Sequence, residues 1–377
     1  MSGKATTASA SSVPSIANVA AVAGVSSATV SRVLSGRRTK DDDIARRVRE
    51  AAQRLHYEVN HAASALRSDT TNIIGLIAPD AGDPFVARIV NELSQLLSAE
   101  SKQLLLGIDS TAESVERQVA TMAARQVDGL IIAVTPSVDL AEVLERYARR
   151  IPIVQIGGTQ RLFRTSMIGM DSIASMAETL RHLADSGARS AAFINEGPHT
   201  VGDLANGGGA FDAIALSAAF TAQAGNFGIF TRPEWNVAGS DASAMRIGFD
   251  HVMRLFDMRT GDAVKTNGTT VIAEEANEAD GFHRRPEALI CINDAMALGV
   301  IHALHTLGLR VPQDVRIVSH GDTPIAVNAM PQLTSQQPPT RQIAAEAMRL
   351  MTADRDCPSH VFLPSRLVVR ESTRQIR

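Results

Sequence analysis

The stretch Ile16-Ala-Asn-Val-Ala-Ala-Val-Ala-Gly-Val-Ser-Ser-Ala-Thr-Val-Ser-Arg-Val-Leu34 decides the fold of the N-terminal region. Its first half repeats apolar residues at the spacing of one buried helix face, and Ser15 is placed to cap that helix. A Gly24-Val25 turn follows. Ser26 is placed to cap a second helix, because its hydroxyl accepts from free amides of the first turn. The pattern predicts two short helices joined by a tight turn.

The second of these helices turns Val30, Val33 and Leu34 inward and leaves small residues and one arginine outside. Small side chains let a helix enter the major groove of DNA, and Arg32 can donate two hydrogen bonds to guanine. The pattern therefore favours a DNA-binding helix-turn-helix. The alternative is an ordinary helical hairpin within a larger helical domain.

Composition places the 377-residue chain among globular proteins, with 45% hydrophobic and 20% charged residues and room for two or three domains. Apolar runs stay short of a membrane span, and residues 1–13 are expected to form a disordered leader rather than a secretory signal. The two cysteines, Cys291 and Cys357, lack metal-ligand spacing and suit a reducing cytoplasm.

Charge is distributed unevenly along the chain. Residues 1–71 hold ten Lys/Arg against six Asp/Glu, a balance of +4, while the remainder balances at −7 and the whole chain at −3. A basic head on an acidic body concentrates the attraction for phosphate in one module. The Asp41-Asp42-Asp43 run weakens this head locally, and it also begins a predicted third helix whose apolar stripe comprises Ile44, Val48, Ala51 or Ala52, and Leu55.

Residues 60–67 form a segment of about two helical turns, too short to be a stable helix alone in water. Composition favours a linker here. The other interpretation is a segment that becomes helical only when a partner orders it.

From Asn72 onward, apolar strand patterns, the first at Ile73–Ala78 and the second at Gln103–Ile108, alternate with helix patterns, which predicts parallel sheets covered on both faces. The series restarts near residue 173, so two similar lobes are expected, with a ligand cleft beyond the carboxyl ends of their strands. Residues 259–287 are polar and are expected to form a solvated surface loop.

The chain resembles the LacI/GalR family of bacterial transcription regulators from about Ser15 to Thr373. The motifs are the opening stretch above, Leu55-His-Tyr57 with Asn60, and three core segments at residues 291–299, 307–315 and 367–373. The resemblance implies an α/β protein in which a three-helix helix-turn-helix head is joined by a hinge helix to a two-lobed, periplasmic-binding-protein-like core. The expected limits are residues 1–13 for the leader, 14–58 for the head, 59–71 for the hinge and 72–377 for the core. Within the core, the first lobe is expected at about 72–187 and 323–342, and the second at about 188–322 and 343–377.

For DNA, the resemblance implies a homodimer on a palindromic double-stranded operator. The second helix docks in the major groove, and the paired hinges insert Leu66 into the minor groove and kink the duplex. Val59 stands where relatives usually have proline. The implied DNA contacts are Ser26, Ser27, Ala28, Thr29, Ser31, Arg32, Asn60, Ala63, Leu66 and Arg67.

For the core, the resemblance implies a small-molecule effector in the cleft, near Phe85, Asp171, Asn293, His320, Asp322 and Arg341. Sugar-binding members use an arginine where this chain has Gly207, and an aspartate where it has Gly321. Loss of that carboxylate removes repulsion against an anion, and His320 or Arg341 can supply positive or donor groups. The expected effector is therefore a sugar acid or another anion, since this part of the chain resembles the gluconate-regulator branch most. The alternative is a pocket that binds something unrelated or nothing.

Two other classes compete with this interpretation. An enzyme is disfavoured because no nucleophile elbow, phosphate loop or metal cluster is found, and no catalytic residue, metal ligand or cofactor is expected. A periplasmic-type small-molecule binding protein shares the two-lobed core, but the basic head and the lack of a signal sequence count against it. The resemblance implies a repressor that acts in the bacterial cytoplasm at the nucleoid, without membrane contact.

Overall fold

The structure, a computed structural model, describes residues 14–34, 38, 42–57, 70–133, 139–157, 164–195, 213–236, 243–256, 264–266, 269–271, 285–353 and 357–374. The expected leader, residue 58 of the expected head and residues 59–69 of the expected hinge lie outside this part of the chain. The chain divides into two compact units, Met1–Thr71 and Asn72–Arg377. Each unit is described below by itself.

The N-terminal unit contains three helices: α1 (Ile16–Ala23), α2 (Ser27–Leu34) and α3 (Asp43–Arg54). Local chemistry fixes their ends. Ser15 and Asn18 form a reciprocal capping box at the start of α1, and Gly24 ends that helix in the left-handed region at φ 66°. Asp42 caps α3 by accepting from the amide of Ala45.

The core of this unit is small and built mainly of valine and alanine. Val19, Val30 and Val48, one from each helix, are fully buried at its centre. On α3 the structure differs from the predicted stripe, because Ala45 is buried and Ile44 only partly so. The face centred on Val48 includes residues 45, 51 and 52, so the larger side chain of Ile44 lies at its margin.

The first lobe of the core unit is a six-stranded parallel sheet in the order β12-β5-β4-β3-β1-β2. Its strands, in chain order, are β1 (Ile73–Ala78), β2 (Gln103–Ile108), β3 (Gly129–Ala133), β4 (Ile153–Ile156), β5 (Ser166–Met170) and β12 (His360–Leu363). Its helices are α4 (Pro84–Ala99), α5 (Ala112–Ala124), α6 (Ala141–Ala148) and α12 (Thr340–Met351). The central strands are apolar runs because both faces of the sheet are covered.

The second lobe is a five-stranded sheet in the order β13-β11-β10-β9-β6, with only β13 antiparallel to its neighbour among these pairs. Its strands are β6 (Ala191–Ile194), β9 (Ala288–Cys291), β10 (Arg316–His320), β11 (Thr334–Gln337) and β13 (Arg366–Val368). Its helices are α7 (Ser172–Asp185), α8 (Ala213–Gln223), α9 (Ala244–Phe256), α10 (Asp294–Thr306) and α11 (Pro324–Asn328). Phe193, Phe220 and Trp235 are the bulkiest buried side chains of its core.

The chain crosses between the lobes three times, after β5, after β11 and after β12. The expected limits of the two lobes are therefore wrong near residue 187 and again near residues 323–342. Helix α7 packs in the second lobe and β11 pairs with β10 there, whereas the expected limits place residues up to 187 and residues 323–342 in the first lobe. Helix α12 and strand β12 belong to the first lobe, whereas the expected limits place residues 343–377 in the second. The reason is that strand pairing and helix burial, which set these limits, are tertiary contacts.

The polar stretch 259–287 is not wholly a loop, because β7 (Val264–Thr266) and β8 (Thr269–Val271) form an antiparallel pair within it. Across the described ranges, no single helix is long and apolar enough to cross a membrane. By length and composition alone, helices α1 and α2 taken together could form a broken span, but they bend by 101° at the break between them.

Candidate functional site

The outward surface of α2 consists of small side chains and one arginine. Ser27, Ala28 and Arg32 are exposed, whereas Val30 and Val33 are buried against the other two helices. Small side chains on the outer face allow close approach of the helix backbone to a groove. The surface has the composition expected of a major-groove recognition helix.

The start of α2 is fixed by paired hydroxyls. The amide of Thr29 donates to Oγ of Ser26 at 3.2 Å, and the two hydroxyl oxygens lie 2.9 Å apart. This confirms the predicted cap. Nε of Arg32 donates to the carbonyl oxygen of Ala28 at 3.3 Å, so the guanidinium stem runs along the helix surface. Ser31 is half-buried beside it.

The other expected DNA contacts, Asn60, Ala63, Leu66 and Arg67, lie outside the described residues. So does Gly207. Their roles stay predictions.

In the core unit, expected effector residues follow the carboxyl ends of the strands and cap the next helices. Asp171 follows β5 and accepts from the amide of Ala174 at 2.9 Å, and Asn293 caps α10 by accepting from the amide of Met296 at 2.8 Å. Phe85 lies buried at the start of α4. This arrangement occurs because parallel strands lead into helices at one edge of each sheet.

Asp83, which sequence reasoning did not name as a site residue, caps α4 through the amide of Phe85 at 2.8 Å. Burial raises the pKa of this carboxyl, and the nearby charge of Asp80 raises it further, while the hydrogen bonds from backbone amides lower it. Acidic groups therefore border the start of α4.

The loop after β10 is constrained by its backbone conformation and by side-chain contacts. Both Gly321 and Asp322 have positive φ angles, 123° and 49°. Oδ1 of Asp322 pairs with Nη2 of Arg370 at 2.5 Å, and Oδ2 accepts from Nε2 of Gln337 at 2.7 Å. The amide of Asp322 donates to Oγ of Ser335 at 2.9 Å. The carboxylate of Asp322 is thereby held and neutralised within the second lobe.

Asp294 supports the same loop from beneath and is almost fully buried. Its Oδ1 accepts from the hydroxyls of Ser319 at 2.5 Å and Ser335 at 2.9 Å, and its Oδ2 accepts from the amide of Thr323 at 2.7 Å. Three donors satisfy this buried carboxylate, as a buried charge requires.

His320 lies within the second lobe rather than on its surface. Its side chain has no exposed area, Nδ1 lies 3.0 Å from the carbonyl oxygen of Cys291, and its ring meets Phe193 edge-on at 6.5 Å between centroids. Burial lowers the pKa of His320, against the raising effects of the Cys291 carbonyl and Asp294. A buried neutral imidazole does not fit the expected positive group. Arg341 is exposed at the start of α12.

Arg88 is a residue that sequence reasoning missed. It lies on α4, three residues after Phe85, and is half-buried. Its Nη1 donates to the carbonyl oxygen of Gly321 at 3.0 Å, and its Nη2 donates to the carbonyl oxygen of Asp322. The available signal was its i+3 spacing from Phe85, which puts both residues on one helix face. These contacts link the two lobes at the edge where the strands end.

Within the described ranges, no three His, Cys, Asp or Glu side chains converge as a metal site would require.

A helix-turn-helix unit followed by a two-lobed binding core defines a DNA-binding transcription regulator with an effector-binding domain. Comparison with known proteins agrees. Residues 15–60 match the model for bacterial regulatory proteins of the lacI family, and residues 71–215 match periplasmic binding proteins and the sugar-binding domain of the LacI family. Residues 180–373, more than half of the chain, match a periplasmic binding protein-like domain.

One similar relative is catabolite control protein A of Staphylococcus xylosus, 25% identical over 93% of this chain and 96% of that protein. Among solved structures, the Lac repressor bound to ONPG in its repressed state has a TM-score of 0.74 at 22% identity, covering 96% of this chain and all of that chain. A complex of the regulator CelR with cellobiose has a TM-score of 0.59 at 24% identity, covering 95% of this chain and 99% of that chain. The chain belongs to the LacI family of bacterial regulatory proteins.

Proposed function

We propose that the protein is a repressor that binds a palindromic operator as a homodimer and responds to a small molecule in the cleft between its lobes. The observation that carries this proposal is the outward face of α2, where Arg32 stands among small side chains on a capped helix. A repressor bound to operator DNA would act in the bacterial cytoplasm, at the nucleoid.

The proposed division of labour on DNA follows from side-chain chemistry. Contacts in the major groove come from the start and outer face of α2, with Arg32 as the residue that reads a base: Ser26, Ser27, Ala28, Thr29, Ser31 and Arg32. As the family resemblance implies, the minor-groove contacts and the bend come from four hinge residues, Asn60, Ala63, Leu66 and Arg67.

The effector is proposed to bind where Phe85, Asp171, Asn293 and the loop after β10 meet the ends of the strands. A sugar acid such as gluconate is favoured because Gly321 carries no side chain and the carboxylate of Asp322 is already paired with Arg370. His320 does not supply positive charge in this proposal, because it is buried and burial lowers its pKa. Arg341 is exposed at the start of α12 and stays an expected donor to the effector. A neutral sugar is the second candidate, since CelR was solved with cellobiose.

Control of DNA binding is proposed to run through the three segments that cross between the lobes. An effector that binds both lobes favours one angle between them, and reciprocal coupling then changes operator affinity.

The test is selection of bound DNA from a random duplex pool by the full chain, followed by gel shift over a salt series. A palindromic consensus whose affinity falls steeply with salt supports the regulator. A periplasmic-type binding protein, the alternative, would select no sequence. Repeating the selection with gluconate or a neutral sugar present shows which of them alters binding.

A further inference from the structure

The guanidinium of Arg88 joins the first lobe to the second through two neutral acceptors. Arg88 lies on α4 of the first lobe, and its Nη1 and Nη2 atoms donate to the backbone carbonyls of Gly321 and Asp322. Among the described residues, no carboxylate lies within ion-pair distance of Arg88. A cation at the edge of a predicted ligand cleft is thus held by dipoles and not by an opposite charge.

The loop that Arg88 contacts does not depend on Arg88 for its shape. Arg370, Gln337 and Ser335 hold Asp322, and Asp294 holds the amide of Thr323 at 2.7 Å, all from within the second lobe. The loop therefore presents its carbonyl groups in a fixed conformation. Loss of the Arg88 contact removes this link between the lobes and leaves the loop conformation unchanged.

Gly321 keeps this edge free of a competing side chain. Its φ of 123° suits glycine alone, and a Cβ there would lie 3.2 Å from Oδ2 of Asp294. The nearest carboxylate in sequence, that of Asp322, is engaged by Arg370 and Gln337. No acid of this loop therefore competes with an incoming anion for Arg88.

We propose that Arg88 recognises the carboxylate of a sugar acid and that this contact replaces the two carbonyl contacts between the lobes. A carboxylate accepts both Nη donors in parallel, and such charge-assisted pairs are about twice as strong as bonds to neutral acceptors. The proposal rests on the effector site proposed above and gives it a mechanism. Ligand binding and release of the interlobe contact become one event at one side chain.

The first experiment is calorimetry on the full chain with gluconate, glucuronate and galactonate, each beside an uncharged counterpart (glucitol, glucose and galactitol). The wild type is expected to bind at least one acid and to prefer it to its counterpart. Arg88→Gln should weaken the affinity for that acid by roughly 10- to 100-fold, the range for a lost charge-assisted contact. It should leave the affinity for the uncharged counterpart unchanged. Arg88→Lys keeps the positive charge but loses the paired Nη donors. Its affinity for the acid should therefore lie between those of the wild type and Arg88→Gln.

The matched control is Arg117→Gln, an exposed arginine of the same lobe paired with Glu113 on α5. It should leave all affinities unchanged, and circular dichroism establishes that each variant is folded. If no acid binds the wild type, or if Arg88→Gln and Arg88→Lys both bind acids normally, the recognition half is overturned.

The second experiment measures operator affinity by gel shift on the duplex selected from the random pool. Without ligand, Arg88→Gln should have the operator affinity that the wild type reaches with saturating acid, and added acid should change it no further. A variant that matches the unliganded wild type and still responds to acid overturns the release half. A wild type that selects no DNA refutes the regulator itself, which is a different failure from loss of acid binding.

Discussion

Oδ1 of Asp322 lies 2.5 Å from Nη2 of Arg370, which ties the loop after β10 to the segment after β13. Both side chains are largely withdrawn from solvent, at 6% and 15% exposure. Arg370 also donates from Nη1 to the carbonyl oxygen of Leu333 at 2.7 Å, so one guanidinium connects three parts of the second lobe. The strand ends that face the first lobe are held in place by this pair.

Replacement of Arg370 by Met should destabilise the core unit by about 3–5 kcal/mol, because it leaves the carboxylate of Asp322 buried without its cation. Urea unfolding measures the change. Arg310→Met, which breaks the exposed pair with Asp314, is the control and should have a much smaller effect. Equal losses in both variants would contradict the distinction between buried and exposed pairs.

Helices α9 and α10 approach so closely that a side chain at Gly299 has no room. An added Cβ would lie 1.9 Å from the carbonyl oxygen of Met245. Gly299→Ala should therefore cost about 1–3 kcal/mol or more in the free energy of unfolding, as overpacking does. Gly225→Ala, where nothing lies within 4 Å, should change stability by less than about 0.5 kcal/mol. A stable Gly299→Ala protein would show that the two helices can separate at little cost.

Stability should fall in mild acid because of His320. Burial lowers the pKa of this histidine in the folded protein, so the unfolded chain binds the proton more readily. The contribution of neutral His320 to the free energy of unfolding is fully present above the ordinary histidine pKa of about 6.5. It is lost as the pH falls through the lower pKa that His320 has in the folded protein. Unfolding of His320→Phe, measured from pH 7.5 to 5, should show a shallower decline than the wild type. Parallel curves would exclude the titration of His320 as a cause.

Arg32→Ala should relax base preference at one pair of each operator half-site, at a cost of about 1–3 kcal/mol in discrimination. Leu66→Ala should weaken binding to all sequences with little change in preference, because bending carries less base information than direct contact. Selection from a random pool with each variant measures both effects. Arg47→Ala, on an exposed position of α3, serves as the control. The same altered preference in the Arg32 and Leu66 variants would contradict this division.

Thiol labelling should distinguish the two cysteines. Cys291 is buried and burial raises the pKa of its thiol, whereas Cys357 is exposed. A maleimide should modify one thiol per folded chain and two in urea, as read by mass spectrometry. Cys357→Ser should abolish labelling of the folded protein. Rapid labelling of that variant would show that the second lobe opens readily.

The sequence predicted well the elements whose causes are local. Ser15 and Ser26 are caps in both the pattern and the structure, and the apolar run Ile73–Ala78 is a buried strand as expected. Strand β2 has the limits that the pattern indicated, at Gln103–Ile108. Hydrophobic period and cap chemistry decide these features within a few residues.

Strand β11 escaped prediction because its residues are polar. Thr334, Ser335 and Gln336 are all fully buried, and each makes a side-chain hydrogen bond to a distant residue, to Thr373, Asp294 and Glu178 respectively. A polar strand of this kind reads as a turn by composition. Its burial depends on hydrogen bonds across 39 to 158 residues of chain.

The sequence by itself determined that a small helix-turn-helix head precedes two series of strands and helices, because caps and hydrophobic periods act over short distances. Tertiary structure alone decided which lobe receives α12 and β12, where His320 lies, and that Arg88 reaches Gly321 and Asp322. The physical reason is chain distance. Arg88 and Gly321 are 233 residues apart, and only the packing of two lobes brings a guanidinium to that carbonyl.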